Sequence, residues 1–578
     1  MPAQFKRVAD PFSRRGFLRL LPGSALSSAL VASASGRAYA AAAADAAPFF
    51  EEIPPAASGI SWKHVAGLSS EMYLPETIGP GCAFLDYDND GWMDIYLVNS
   101  GPCDFYSPPA PLRNALYHNN RNGTFGDVTR KAGVGGGAYG MGVAVGDYDG
   151  DGLPDLYVTQ YPRSILYHNN GDGTFTDVTD KAGVAAPGWS SSAVWFDYDN
   201  DGKLDLFVCR FGDFSKAKNA FCGNKNTGAH YYCAPGTVRA LPSWLFHNNG
   251  DGTFTDVSKE SGIGALLSRA WGVVAADVNN DGWMDLFVSN DSIPNFLLMN
   301  RGKKGFEETG LLAGVAYSSF GGARAGMGVD AADYDDDGSV DLFVGNFVHE
   351  YFSLYHNSGK GDFDDVAIPT GIAAATQSLS GWGLKFFDFD NDGNLDLILN
   401  NGHPDTMVKL YDPTVTYREP MVLMQNTGKA WKNVSAQAGS IFSREIAGRG
   451  LALGDFDNDG AVDVLVMVND GAPVLLRNRA GRQNHWLGVR LEGRTANRDA
   501  IGAVVSYQSG DLKRRRVKVG GGSFLSSHDP RLVLGLGSRS KADWLEVQWP
   551  QPSGRVERFK DLPVDRYITI VEGQGTWK

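Results

Sequence analysis

The residues of this chain best suited to chemistry are aspartates, and they recur in one pattern. Asp-x-Asp-x-Asp-Gly-x-x-Asp begins at Asp86, Asp147, Asp197, Asp277, Asp333, Asp388 and Asp455, with Asn279 at the third position of the fourth copy. In a tight turn, carboxylates at positions one, three and five converge on one point, and glycine at six permits the turn. A backbone carbonyl at seven and the carboxylate at nine complete an oxygen cage. The side-chain ligands would be Asp86, Asp88, Asp90 and Asp94; Asp147, Asp149, Asp151 and Asp155; Asp197, Asp199, Asp201 and Asp205; Asp277, Asn279, Asp281 and Asp285; Asp333, Asp335, Asp337 and Asp341; Asp388, Asp390, Asp392 and Asp396; and Asp455, Asp457, Asp459 and Asp463. Hard oxygen donors on a flexible loop favour calcium over zinc or copper, while magnesium demands six-fold geometry. The expected cofactor is Ca2+, at about seven structural sites. Solvated polar turns are the alternative, but unneutralised carboxylates this dense repel one another.

Hairpins must position these turns. The second copy lies between the apolar runs GMGVAV and LYVTQ, and a second hairpin follows, ILYHNN-GDG-TFTDV. Asn and Gly there supply the positive φ angles of tight turns. Four strands per motif predict an all-β fold, a seven-bladed β-propeller with a smaller C-terminal β-sandwich or barrel-like domain. Fourth strands begin at Phe125, Phe175, Phe254, Phe306, Phe363 and Trp431, one fewer than the motifs. Residues near 49–53 are expected to complete the last unit, which removes an open sheet edge. The propeller is assigned to residues 47–480 and an antiparallel β-rich domain to 484–573.

The formal charge is −14, and the first forty residues are basic, so the remainder is more acidic still. Such a body is a poor nucleic-acid partner, since phosphate binding needs clustered Lys and Arg. The short run Lys513-Arg514-Arg515-Arg516 reads as an exposed strand or turn. Ser13-Arg14-Arg15-Gly16-Phe17-Leu18, a weakly apolar stretch and Ala38-Tyr39-Ala40 match a twin-arginine signal peptide, expected over residues 1–40, the alternative being a disordered basic tail with a chance Arg pair. A periplasmic or secreted location follows. No later apolar run reaches about 18 residues, so no transmembrane anchor is expected. Among Cys82, Cys103, Cys209, Cys222 and Cys233, the best disulfide candidate is Cys222–Cys233, with Cys82–Cys103 second. Five ordinary core thiols are the alternative.

Long insertions at 100–113, 212–242 and 401–420 fall in loops on the face away from the aspartate turns, where recognition is expected. Candidate ligand-binding residues at the channel mouth and in nearby loops are Arg269, Trp271, Arg324, His349, Glu350, Trp382, His403, Asp405 and Arg449. Trp and Arg together can stack on and hydrogen-bond a sugar or an acidic metabolite. The competing role for Trp271 and Trp382 is to wedge neighbouring blades.

NHWLGVRLEG, IGAVVSY, GGGSFLSSHDPRLVLGLG and WLEVQWPQPSG resemble the ASPIC/UnbV domain, and the Asp motifs with HNNGDGTF hairpins resemble FG-GAP/VCBS repeats. The combination resembles the cartilage acidic protein family in its bacterial form. That resemblance implies a secreted, calcium-binding propeller. The expected function is a recognition module for an extracellular or periplasmic glycan, protein or small metabolite. The alternative is a calcium-stabilised enzyme of lyase, dehydratase or isomerase type acting on a sugar or secondary metabolite, with His349, Glu350, His403 or Asp405 as acid or base.

Overall fold

A computed structural model describes residues 47–578 apart from Thr227 and Lys429. The export signal expected over residues 1–40 lies outside the described residues.

Alternating apolar residues and aspartate turns fold into seven antiparallel sheets, six of four strands and the fourth with Gly520–Gly521 added as a fifth, in chain order except where the seventh closes. The first runs Cys82–Leu85, Asp94–Leu97, Ala115–Asn119 and Phe125–Asp127, and the sixth runs Gly381–Phe387, Asp396–Asn401, Val422–Asn426 and Trp431–Asn433. The seventh takes Gly448–Gly454, Asp463–Val468 and Val474–Asn478 from one end of the chain and Phe50–Ile53 from the other. Phe50 pairs with Asn478 and Ile53 with Leu475, as the missing fourth strand required. Ion pairs Arg479–Glu51 and Arg444–Glu52 flank this closure.

The sheets are joined as a β-propeller by one repeated device. An asparagine ending each third strand donates its backbone N–H to the ninth-position aspartate, as Asn169 does to Asp155 at 2.8 Å. Its side-chain amide then crosses to the preceding sheet. Asn169 reaches Tyr87 O, Asn248 reaches Tyr148 O, Asn300 reaches Tyr198 O and Asn357 reaches Val278 O, all at 2.7–2.8 Å. Asn426 and Asn478 continue the series to Tyr334 O and Phe389 O. Buried polar groups demand partners, so these amides fix the spacing between sheets.

The C-terminal strands form two further sheets around their own core, which includes Leu487, Val505, Tyr507, Leu545, Trp549 and Ile570. One is Leu512–Val517, Val504–Ser509, Ala542–Gln548 and Val556–Leu562; the other is Leu532–Gly537, His485–Glu492 and Tyr567–Val571. The expectation of a purely antiparallel arrangement fails here. His485–Glu492 pairs parallel to Tyr567–Val571, because a long crossover brings the last strand back beside the first. Cys222 and Cys233 are disulfide-bonded with an S–S distance of 2.02 Å. Cys82–Cys103 is not: both thiols are free, and the buried Cys82 lies 3.8 Å from Ser526 Oγ. No helix among the described residues is long and apolar enough to cross a membrane.

Candidate functional site

Each aspartate turn is built from backbone donors. In the first, Asp86 accepts from Asp90 N–H at 2.9 Å and Gly91 N–H at 3.0 Å, and Asp90 Oδ1 accepts from Trp92 N–H at 2.8 Å. Asn89 between them takes φ 55°, a left-handed conformation that Asn tolerates. Asp94 accepts from Tyr87 N–H at 3.2 Å and Asn119 N–H at 2.7 Å. Every ninth position and every first position but Asp277 is buried, and the ninth-position residues Asp94, Asp155, Asp205, Asp341 and Asp463 are all 0 % exposed. Burial, then repulsion from Asp88, pushes Asp94 up to about 9. Burial raises Asp341 to about 9, and burial with repulsion from Asp205 raises Asp197 to about 8. Carboxylates placed this way cannot all ionise without a compensating positive charge.

Further atoms point at the same spots. His118, His168, His247 and His356 occupy one position on the third strands of four sheets, and each has a buried Nδ1 without a hydrogen-bond partner. His118 Nδ1 stands 3.2 Å from Asp94 Oδ1 and 3.5 Å from Asp88 Oδ2. Oδ1 of Asp333, a residue 1 % exposed, is likewise unpartnered. Asp88, Asp90 and His118 can offer ligand atoms within 4.8 Å of one another, as can the equivalent trios with His168, His247 and His356. The donor set fits a divalent cation. The sequence reading missed these histidines, although the recurrence of LYHNN, LFHNN and LYHNS carried the signal.

The other three sheets differ. Met299 takes the histidine position in the fourth, where the Asn279 amide donates to Asp281 Oδ2 at 2.9 Å. Gln425 takes it in the sixth and donates to Asp390 Oδ2 at 2.9 Å. In the seventh, Arg477 Nε lies 3.0 Å from Asp457 Oδ2, and Arg482 pairs with both Asp457 and Asp459. Two guanidinium charges stand there against the third- and fifth-position carboxylates, so this turn does not fit a divalent cation as the others do.

The C-terminal strands lie against the aspartate turns. The basic run expected to be exposed is instead an interface. Arg515 sits 3.2 Å from Asp333 Oδ2, Arg516 is 7 % exposed and 3.2 Å from Asp336 Oδ1, and Arg514 donates to Asn394 Oδ1 at 2.8 Å. Opposite charge on the two surfaces supplies the reason. Tyr567 OH donates to Asp455 Oδ2 at 2.7 Å.

From these strands residues 520–529 enter the channel and bond to the inner strand of every sheet. Ser526 Oγ accepts from Cys82 N–H, Leu525 O from Val143 N–H, and Leu525 N–H donates to Ser192 Oγ. Gly521 pairs with Val274, and Ser523 O accepts from Val329 N–H. Ser523 Oγ bonds Leu384 N–H and Leu451 O, and His528 Nδ1 accepts from Leu453 N–H at 3.0 Å. The GGGSFLSSHD segment is thus a plug.

The plug decides the fate of the channel-mouth candidates. Trp271 and Trp382 are each 2 % exposed and pack edge-on against Phe524, at 6.3 and 4.9 Å between ring centroids. Arg449 is 0 % exposed, lies 4.3 Å over the Trp382 ring and donates to the carbonyls of Thr77 and Gly448. His403 is buried and accepts from Asp405 N–H at 3.0 Å, while buried Asp405 accepts from Tyr411 OH at 3.0 Å. Arg324 is buried on Asp365 at 3.0 Å, Glu350 accepts from Ala325 N–H, and Arg269 donates to Val238 O. His349 is exposed and bonded to Asp412 at 2.9 Å. These side chains hold loops and sheets together, and Arg449, donating to His403 O at 3.3 Å, links Trp382, His403 and Asp405 into one buried group. Aromatic surface lies elsewhere among the insertions. Phe221 is 48 % and Tyr411 51 % exposed, His230 stacks on Phe221 at 4.5 Å, and Tyr231 meets Tyr411 at 5.4 Å.

Residues 493–576 match the ASPIC and UnbV family, and residues 86–158, 147–208, 233–288 and 333–399 match the FG-GAP-like repeat. The chain is an FG-GAP-repeat protein with an ASPIC and UnbV domain. This FG-GAP and ASPIC/UnbV protein is homologous to cartilage acidic protein 1 of Mus musculus, at 29% identity over 309 residues, 51% of this chain and 44% of the relative. The Homo sapiens protein of that name is 28% identical over 301 residues. The chain therefore spans less than half the length of the curated relatives it matches. Among solved structures, an Agrocybe aegerita lectin is similar with TM-score 0.36 and 16% identity, covering 63% of this chain and 84% of the lectin. A Bacillus licheniformis rhamnogalacturonan lyase has TM-score 0.37 and 12% identity, covering 75% of this chain and 76% of the lyase.

Proposed function

We propose that this protein is an exported, calcium-stabilised recognition module that reads a glycan, protein or small metabolite through the insertion-bearing face of the propeller. The plug carries this reading: it occupies the channel while the C-terminal strands cover the aspartate turns. Exposed aromatic side chains are left among the insertions, tied down by the Cys222–Cys233 bond. Flat aromatic surfaces of this kind stack on sugar rings, so glycans are the first class to screen. Calcium at the turns supplies compensating charge and joins the inner hairpin of each sheet. The seventh turn uses Arg477 and Arg482 for the same purpose, so the expected complement is six ions. The disulfide agrees with an oxidising compartment. The acid–base groups offered for catalysis are each engaged by backbone groups or neighbouring side chains, which favours recognition over reaction.

The test is a binding screen of glycans, metabolites and extracellular proteins with the exported chain, run with and without a calcium chelator. Turnover of any hit, detected by product analysis, would replace this reading with the enzymatic one.

A further inference from the structure

Between the plug, the inner strands of the fifth to seventh sheets and the C-terminal strands lies a cavity of about 250 Å³. That is far above the roughly 10–15 Å³ a single water needs. Its walls are apolar in part, with Val145, Leu453, Ile501 and Val519, and otherwise densely ionisable. Most of the charges are internally matched. Lys385 pairs with Asp330 at 2.5 Å, Arg531 with Asp529 at 2.7 Å and Arg516 with Asp336 at 3.2 Å.

Apart from the aspartate-turn carboxylates Asp333, Asp388 and Asp455, which also face this space, three lining groups are left over. Among the described residues, Lys518 Nζ has no hydrogen-bond or ion-pair partner. His528 accepts from Leu453 N–H through Nδ1, so the proton of the neutral ring is on Nε2, which is buried and has no acceptor. Burial holds this imidazole well below its usual range, which keeps it neutral. Asp499 accepts a backbone N–H from Asp147 at 3.1 Å and has no cation within ion-pair distance among the described residues. All three line this cavity, and all three also line a smaller adjoining one of about 90 Å³. The His528 Nε2–H donor is costly to bury without an acceptor, and the half-buried Lys518 and Asp499 beside it offer one charge of each sign to a ligand.

We propose that this cavity binds a small organic carboxylate that also bears a hydroxyl or ammonium group. Lys518 and His528 hold the carboxylate, Asp499 takes the second group, and the apolar wall accepts the carbon skeleton. The site lies on the side of the plug away from the insertions and does not depend on the recognition face proposed above.

The experiment uses the whole exported chain loaded with calcium, titrated with lactate, alanine and acetate by calorimetry and by ligand-observed NMR. Lactate or alanine should bind saturably at one site per chain, and acetate more weakly because it lacks a partner for Asp499. Lys518→Met should weaken binding at least tenfold, the effect of losing a hydrogen bond to a charged group. His528→Asn keeps an acceptor near Leu453 N–H but removes Nε2, and should weaken binding similarly with little change in Tm. It carries the test alone if the lysine variant fails to fold. Absence of saturable binding by all three probes, as for a cavity holding only water, overturns the proposal. So does binding unchanged in His528→Asn.

Discussion

The side-chain amide of Asn119 donates to the carbonyl oxygen of Phe456 at 2.8 Å across 337 residues of chain. It is the closing member of the asparagine series, joining the first sheet to the seventh. The same amide also donates to Met93 O at 3.0 Å, and Asn119 is 1 % exposed. Asn119→Ala leaves both carbonyls unpaired and should cost about 2–4 kcal/mol. Hydrogen exchange should quicken first in Phe50–Ile53 and Gly448–Gly454, where the ring would open. Uniform quickening around all sheets would contradict the closing role.

Metal content discriminates between turns. Six equivalents of calcium per chain are expected by elemental analysis after desalting, with the fourth site, which holds Asn279 and Met299, emptied first by a chelator. Arg477→His combined with Arg482→Gln should add a seventh ion. Chelation should lower Tm, since each ion at about 1,000 times its Kd contributes roughly 4 kcal/mol to the folded state. A wild-type count of seven would remove the proposed arginine substitution.

The plug needs inner-strand glycine. A Cβ at Gly81 would stand 1.8 Å from Leu525 O, whereas one at Gly137 would meet nothing within 4 Å. Gly81→Ala must push the plug or the strand aside and should cost about 3 kcal/mol, at the upper end of overpacking effects. Gly137→Ala is the control and should leave the melting curve unchanged. Equal melting temperatures for the two variants would mean that the plug is not seated in the channel.

Glu419 gives a pH dependence of known sign. It is 2 % exposed, accepts from Ser380 N–H at 2.7 Å, and burial pushes its carboxyl up to about 8. The folded protein therefore holds a proton that the unfolded chain releases near its ordinary carboxylate pKa. The stability this supplies is fully present below the ordinary value and is lost as pH rises through about 8. Glu419→Gln should flatten that decline, seen as a smaller fall of Tm between pH 5 and pH 8. A slope identical to that of the wild type would rule out Glu419 as its source.

Recognition by the insertion face should rest on aromatic surface. Phe221→Ala removes an exposed ring and should weaken ligand binding about tenfold while leaving Tm nearly unchanged, whereas Tyr411→Ala should weaken binding similarly but also lower Tm, because Tyr411 OH donates to the buried Asp405. Trp382→Ala should do the reverse, costing about 3–5 kcal/mol of stability by opening a void in the core. Loss of binding in Trp382→Ala with full stability would return the channel to consideration as the ligand site.

Much of this architecture was legible in order along the chain. Strands begin at Phe125, Phe175, Phe254, Phe306, Phe363 and Trp431 as read, and Phe50–Ile53 supplies the strand that the seventh repeat lacks. These features follow from local rules: an aspartate turn, an Asn-Gly hairpin and alternating apolar residues act over fewer than about ten residues. The histidines were equally local and equally visible. What Gly520–Asp529 does was not, because its partners Cys82, Val143, Ser192, Val329, Leu384 and Leu451 are scattered through the chain and offer only backbone groups or small side chains. The same holds for Trp271 and Trp382. An inner-strand tryptophan reads alike whether the channel is open or filled, and the filling comes from a domain that folds around a separate core. Spacing along the chain therefore prescribed the turns and the ring, while packing of the C-terminal strands and plug against the ring settled which surfaces remain to meet a ligand.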